Sequence, residues 1–112
     1  MEYQDIILEQ QGAITMITLN RPASLNALTP LMIRELKTAL KDIALDSNCK
    51  VLILKGAGRA FSAGVDLKAM NESLVGGQFT SYEIIQEGND IASILRTMPQ
   101  AAIVQVHGHC YT

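Results

Sequence analysis

The run Val51-Leu52-Ile53-Leu54, which leads almost directly into Gly56-Ala57-Gly58-Arg59-Ala60-Phe61-Ser62-Ala63-Gly64, constrains this chain more than any other segment. Four consecutive apolar residues leave no polar face, which predicts a strand covered on both sides, as in a parallel sheet. The glycines that follow predict a loop whose backbone turns tightly or lies against another group.

Parallel strands need long crossovers, and the flanking sequence supplies them. Thr29-Pro30 opens a helix, with Thr as N-cap and Pro at the first helical position, where its missing N–H costs nothing. Met32, Leu36, Ala39, Leu40 and Ile43 recur at helical spacing, while Arg34, Glu35, Lys37, Lys41 and Asp42 fall mostly elsewhere on the wheel. Asp46-Ser47-Asn48 ends that helix. A second helix is predicted over 81–97, with Ile84, Ile91, Ile94 and Leu95 turned inward, and Pro99 stops it before an apolar strand over 101–106. Gly88 weakens this helix by about 1 kcal/mol relative to alanine unless close packing explains it.

Upstream, 3–9 and 13–19 form a predicted hairpin through Gln10-Gln11-Gly12, and 20–26 is a loop by its Asn, Pro and Ser content. Asp66 caps a predicted short turn through Leu67, Lys68, Ala69 and Met70, and 71–80, with Gly76-Gly77, is expected to be mobile. Strand, strand, helix, strand, helix, strand is an α/β order with at least partly parallel pairing.

Length and charge then exclude several functions. A chain of 112 residues holds one domain, and 48% hydrophobic with 18% charged residues is a globular composition. Nine Lys/Arg against eleven Asp/Glu give a net charge of −2, which argues against a nucleic-acid partner. Any anionic ligand must therefore be held by local groups. No apolar run approaches the roughly 20 residues of a membrane span. Cys49 and Cys110 are too few for a disulfide framework, and the acidic start Met-Glu-Tyr-Gln-Asp lacks the features of a secretory signal. A cytoplasmic location is expected.

The glycine loop admits several chemistries. A dinucleotide fingerprint requires G-x-G-x-x-G opening into a helix, and here the third glycine, Gly64, comes too late; no Gly-Lys-Ser/Thr follows for a phosphate loop either. Ala60-Phe61-Ser62-Ala63-Gly64 resembles a nucleophile elbow, but Ser62 lies seven residues past Lys55, and only His107 and His109 could serve as base. A third possibility is that the backbone acts: Gly64 frees the turn, and the N–H groups after it, at the start of a short helix, suit an oxyanion. A plain surface loop fits the same pattern, and the residues alone leave these open.

A wider pattern distinguishes them. Ile17-Thr18-Leu19-Asn20-Arg21-Pro22, Leu25-Asn26-Ala27-Leu28, the segment from Gly56 through Gly64-Val65-Asp66-Leu67-Lys68, and Met98-Pro99 leading to Ala102-Ile103-Val104-Gln105-Val106-His107-Gly108 occur in order. Together they closely resemble the crotonase (enoyl-CoA hydratase/isomerase) superfamily. The resemblance implies a spiral of ββα units, incomplete here, and a homo-trimer or hexamer. It implies an acyl-CoA substrate, no cofactor or metal, and a thioester carbonyl held between two backbone N–H groups, the first being that of Val65. Ala63, Asp66, Leu67 and Lys68 would line the adenine and pantetheine, Lys68 as a phosphate partner, and Ala23, Ser24 and Leu25 would form another wall. Residues 79–94, from Phe79 to Ile94, would build part of the acyl pocket.

His107-Gly108-His109-Cys110 admits a metal reading, since His107 and His109 share one face of an extended strand; a structural role for His107, where family members often carry Asn, is the expectation. By the same resemblance, the second oxyanion donor and the acid/base carboxylates lie beyond Thr112. Glu72, Glu83, Glu87 and Asp90 match no catalytic position and are expected to be helical surface charge. The chain is therefore expected to be an inactive portion of a hydratase or isomerase, with a non-catalytic CoA-binding or assembly module as the alternative.

Overall fold

The computed structural model describes residues 3–77, 80–108 and 110. Strand β1 (Ile6–Gln11) turns through Gly12-Ala13 into β2 (Ile14–Leu19), antiparallel, with Ile6 opposite Leu19 and Gln11 opposite Ile14. The turn lies beyond the expected Gln10-Gln11, because those two residues still pair through their main chains on an exposed strand, which needs no apolar side chain.

Helix α1 (Pro30–Leu45) starts as expected, with the Met32 N–H donating to Thr29 Oγ1 at 3.1 Å. It returns the chain to β3 (Val51–Gly56), which runs parallel to β2; β4 (Ala101–Val104) runs parallel to β3, giving sheet order β1-β2-β3-β4. The hairpin and α1 form one ββα unit, and β3 follows it, leading into two helices before β4.

The core lies between the sheet and α1, where Ile17, Leu19 and Leu52 meet Met32, Leu36, Leu40 and Ile43. Full burial of each such side chain contributes about 1.5–3 kcal/mol. The other sheet face differs from expectation. Only Leu52 of β3 is fully buried, every residue of β4 is exposed, and Ile7, Ile14 and Ile103 remain 41%, 39% and 52% exposed. The apolar run of β3 is suited to cover on both faces, and among the described residues only one face receives it.

Helix α2 (Leu67–Val75) is capped by Asp66, whose Oδ1 accepts from the Ala69 N–H at 3.0 Å. It runs past the expected end at Met70: residues 71–75, read as mobile, continue the helix, with Met70 and Ser73 buried. Helix α3 (Ser81–Thr97) packs alongside α1 and carries no fully buried residue. Ile91, Ile94 and Leu95 rest partly buried on the core, as expected, whereas Ile84 lines a cavity. The charges of α3 do more than face solvent: Lys37 Nζ of α1 is 2.7 Å from Asp90 Oδ2 and 3.4 Å from Glu87 Oε2, and Arg34 lies 3.2 Å from Glu87 Oε1 and 3.8 Å from Glu83 Oε2.

Candidate functional site

Two loops at the ends of β2 and β3 make the site, and one buried side chain joins them. Asn26 is 0% exposed; its Oδ1 accepts from the Arg21 N–H at 2.8 Å, and its Nδ2 donates to the carbonyls of Ala57 at 2.8 Å and Ala60 at 2.9 Å. Its backbone is left-handed, φ 55°, a conformation asparagine tolerates better than most residues. The glycine loop can come this close because Gly56 has no side chain: a Cβ there would sit 2.5 Å from the Phe61 carbonyl oxygen. His107 supports the far side, with the Phe61 N–H donating to the His107 carbonyl at 2.8 Å and His107 Nε2 donating to the Gly58 carbonyl at 2.9 Å.

Ser62 is a further tie. Its hydroxyl donates to the Asn26 carbonyl at 2.9 Å and accepts from the Gly64 N–H at 3.1 Å, and the residue is 5% exposed. Both roles of that oxygen are occupied by backbone, and the His107 ring is bonded to Gly58 rather than to Ser62.

After Ser62 the chain turns at Gly64, φ 93°, and its amides divide sharply. The Ala63 N–H donates to the Leu25 carbonyl at 2.8 Å, that of Gly64 to Ser62, and that of Asp66 to the Leu28 carbonyl at 2.9 Å. Between them, the Val65 N–H meets no acceptor among the described residues. Val65 is 49% exposed and borders an apolar cavity of about 680 Å³. Leu28, Phe61, Met70, Ile84 and Ile91 contribute to its wall. Such a space, with few polar groups, is the ordinary form of a small-molecule site.

The expected wall residues are brought together. Ala23 and Ser24 lie exposed in a 3-10 turn (Pro22–Ser24), Leu25 follows at φ 53°, and its carbonyl bonds to Ala63. Leu67 and Lys68 are exposed on the first turn of α2. Asp66 points its carboxylate inward to the protein: besides capping α2, it takes an ion contact from Arg21 Nη1 at 3.2 Å. The Ala69 N–H first, and the Arg21 guanidinium after it, hold this carboxyl below the usual carboxylate range. His109 and Phe79 lie outside the described residues.

Neither Arg21 nor Asn26 is among the site residues expected from sequence, although Asn26 between two hydrophobic residues in a loop is a signal for a left-handed, side-chain-bonded turn. Arg21 also donates to the Ala27 carbonyl, so it clasps its own loop while reaching Asp66.

Residues 14–111 match the family described as Enoyl-CoA hydratase/isomerase. The chain belongs to that family. Mitochondrial 3-hydroxyisobutyryl-CoA hydrolase of Rattus norvegicus is 40% identical over 108 residues, 92% of this chain and 28% of that protein. Short-chain-enoyl-CoA hydratase of Clostridium acetobutylicum is 33% identical over 111 residues, 96% of this chain and 41% of the relative. Among solved structures, an enoyl-CoA hydratase/isomerase from Xanthobacter autotrophicus Py2 superposes with a TM-score of 0.83 at 33% identity, over 97% of this chain and 40% of that one. Pseudomonas aeruginosa AtuE gives a TM-score of 0.85 at 30% identity, over 94% and 41%. The fold is the crotonase α/β fold, in part: the chain spans between 28% and 41% of these relatives' lengths. Among the described residues, no helix is long and apolar enough to cross a membrane.

Proposed function

We propose that this chain forms one wall of an acyl-CoA thioester site and that the Val65 N–H donates to the thioester carbonyl oxygen as it gains negative charge. The observation that carries this reading is the Val65 amide, without an acceptor among the described residues while those of Ala63, Gly64 and Asp66 all have one, at the border of the apolar cavity. Removing a proton beside a thioester, or adding water across its conjugated double bond, passes through an enolate whose charge collects on that oxygen. A donor fixed in advance acts mainly on this state, and losing one costs about 3–4 kcal/mol of barrier. On this reading CoA runs past Ala23, Ser24, Leu25, Ala63, Asp66, Leu67 and Lys68.

Val65→Pro deletes the N–H, while Val65→Ala keeps it and only trims the side chain. In the intact protein, kcat/KM for crotonyl-CoA should fall by about a hundredfold or more for the proline variant and little for the alanine variant. Equal values for the two, with unchanged circular dichroism, defeat the assignment.

Thioester hydrolysis is a second reading, favoured by the rat relative named a hydrolase; a tetrahedral oxyanion would use the same amide. Release of free thiol from 3-hydroxyisobutyryl-CoA, set against hydration of crotonyl-CoA, separates the two. A protein that binds both thioesters and turns over neither would be the non-catalytic module. The homo-trimer or hexamer belongs to the same proposal and is read by sedimentation. A cytoplasmic location is part of the same proposal, and the rat relative is named mitochondrial.

A further inference from the structure

Gly88 stands midway along α3 in ordinary helical conformation, where glycine costs about 1 kcal/mol relative to alanine. Close packing is the usual reason a helix keeps one. That reason is missing, since a Cβ built on Gly88 meets no heavy atom within 4 Å. Gly88 is exposed and borders the apolar cavity together with Ile84, Ile85, Asn89 and Ile91 of α3.

Direction supports this. At about 100° per residue, Ile84, Gly88 and Ile91 fall within one narrow stripe of the helix. Glu83, Glu87 and Asp90 lie on the neighbouring face and are engaged by Arg34 and Lys37 of α1. A side chain at position 88 would therefore project between Ile84 and Ile91 into the cavity, with the ion contacts to α1 keeping the helix from rolling away.

We propose that Gly88 is a specificity-determining residue: its missing side chain sets the depth of the acyl pocket and admits longer or bulkier acyl groups. This rests on the acyl-CoA reading above. A two-carbon acyl group has one methyl beyond the carbonyl and does not need the space; a ten-carbon chain does. Gly88→Leu fills the gap with a good helix former, and Gly88→Ala fills it in part.

The test is calorimetric titration of the intact protein and both variants with acetyl-CoA and decanoyl-CoA. Gly88→Leu should weaken decanoyl-CoA relative to acetyl-CoA by about tenfold or more. Gly88→Ala should shift the ratio in the same direction by less, and should raise Tm, so it carries the test if the leucine variant folds poorly. A decanoyl-to-acetyl ratio unchanged in the alanine variant and in any folded leucine variant overturns the role of Gly88 while leaving acyl-CoA binding intact. Failure of the unsubstituted protein to bind either thioester overturns both readings.

Discussion

Replacing Asn26 by alanine should be among the most damaging single changes in the chain, although it removes only a small amide. The side chain is 0% exposed and serves three backbone groups: the Arg21 N–H and the carbonyls of Ala57 and Ala60. A buried hydrogen bond is worth about 1 kcal/mol net, and a group stranded without a partner costs about 1–3 kcal/mol, so three together come to roughly 3 kcal/mol. Alanine held at a left-handed φ adds roughly 1 kcal/mol more. The total, roughly 4 kcal/mol, is a large part of the ~5–15 kcal/mol that keeps a domain folded. Urea unfolding should show the midpoint falling with the slope unchanged, the mark of lost stability rather than altered compactness. Asn26→Asp sharpens the test. It keeps the acceptor for the Arg21 N–H but turns a second oxygen towards two carbonyls, so it should lose at least as much as alanine despite its matching shape. A loss below about 1 kcal/mol in the alanine variant would refute the claim that this amide holds the two loops.

Three further outcomes follow from the same geometry. Leu52→Ala, at a side chain 0% exposed between the sheet and α1, should cost about 2–5 kcal/mol in chemical denaturation. Asp66 has its pKa lowered in the folded state, first by the Ala69 N–H and then by Arg21, so its stabilisation is present above the ordinary carboxylate pKa and is lost as pH falls through the folded value. The Tm advantage of the native protein over Asp66→Asn at pH 7 should therefore shrink progressively below about pH 4. Lys37 has its pKa raised, chiefly by Asp90; its pairs with Glu87 and Asp90 are partly exposed, so Lys37→Met should lower Tm at low salt and do so less in about 1 M NaCl, where such pairs are partly screened.

Much of this fold was legible because its signals are local. Thr29-Pro30 and Asp66 announce helix starts through their own side chains, and both caps form, Thr29 accepting from the Met32 N–H and Asp66 from the Ala69 N–H. The strands at 14–19 and 51–54 follow from runs of Ile, Val, Leu and Thr. The end of α2 was harder to read, since Met70 and Leu74 give only one helical repeat before Gly76 closes it. The half-covered state of β3 was not legible, because an apolar run records what a strand tolerates and not what lies across from it. At the site, the turn after Gly64 could be read from glycine chemistry. The part played by Asn26 could not, since its three partners are a neighbour at position 21 and two carbonyls some thirty residues on, joined only by the fold.

The stitching of the 21–26 loop to the 56–64 loop through Asn26, Ser62 and Leu25 has a practical consequence for redesign. Edits to either loop propagate into the other, so the pair behaves as a single rigid jig and is poor ground for altering preference among ligands. Helix α3 meets the rest chiefly through rim charges and partly buried aliphatics, and can be re-cut one position at a time. Libraries aimed at altered ligand preference should spare the jig and diversify the helix.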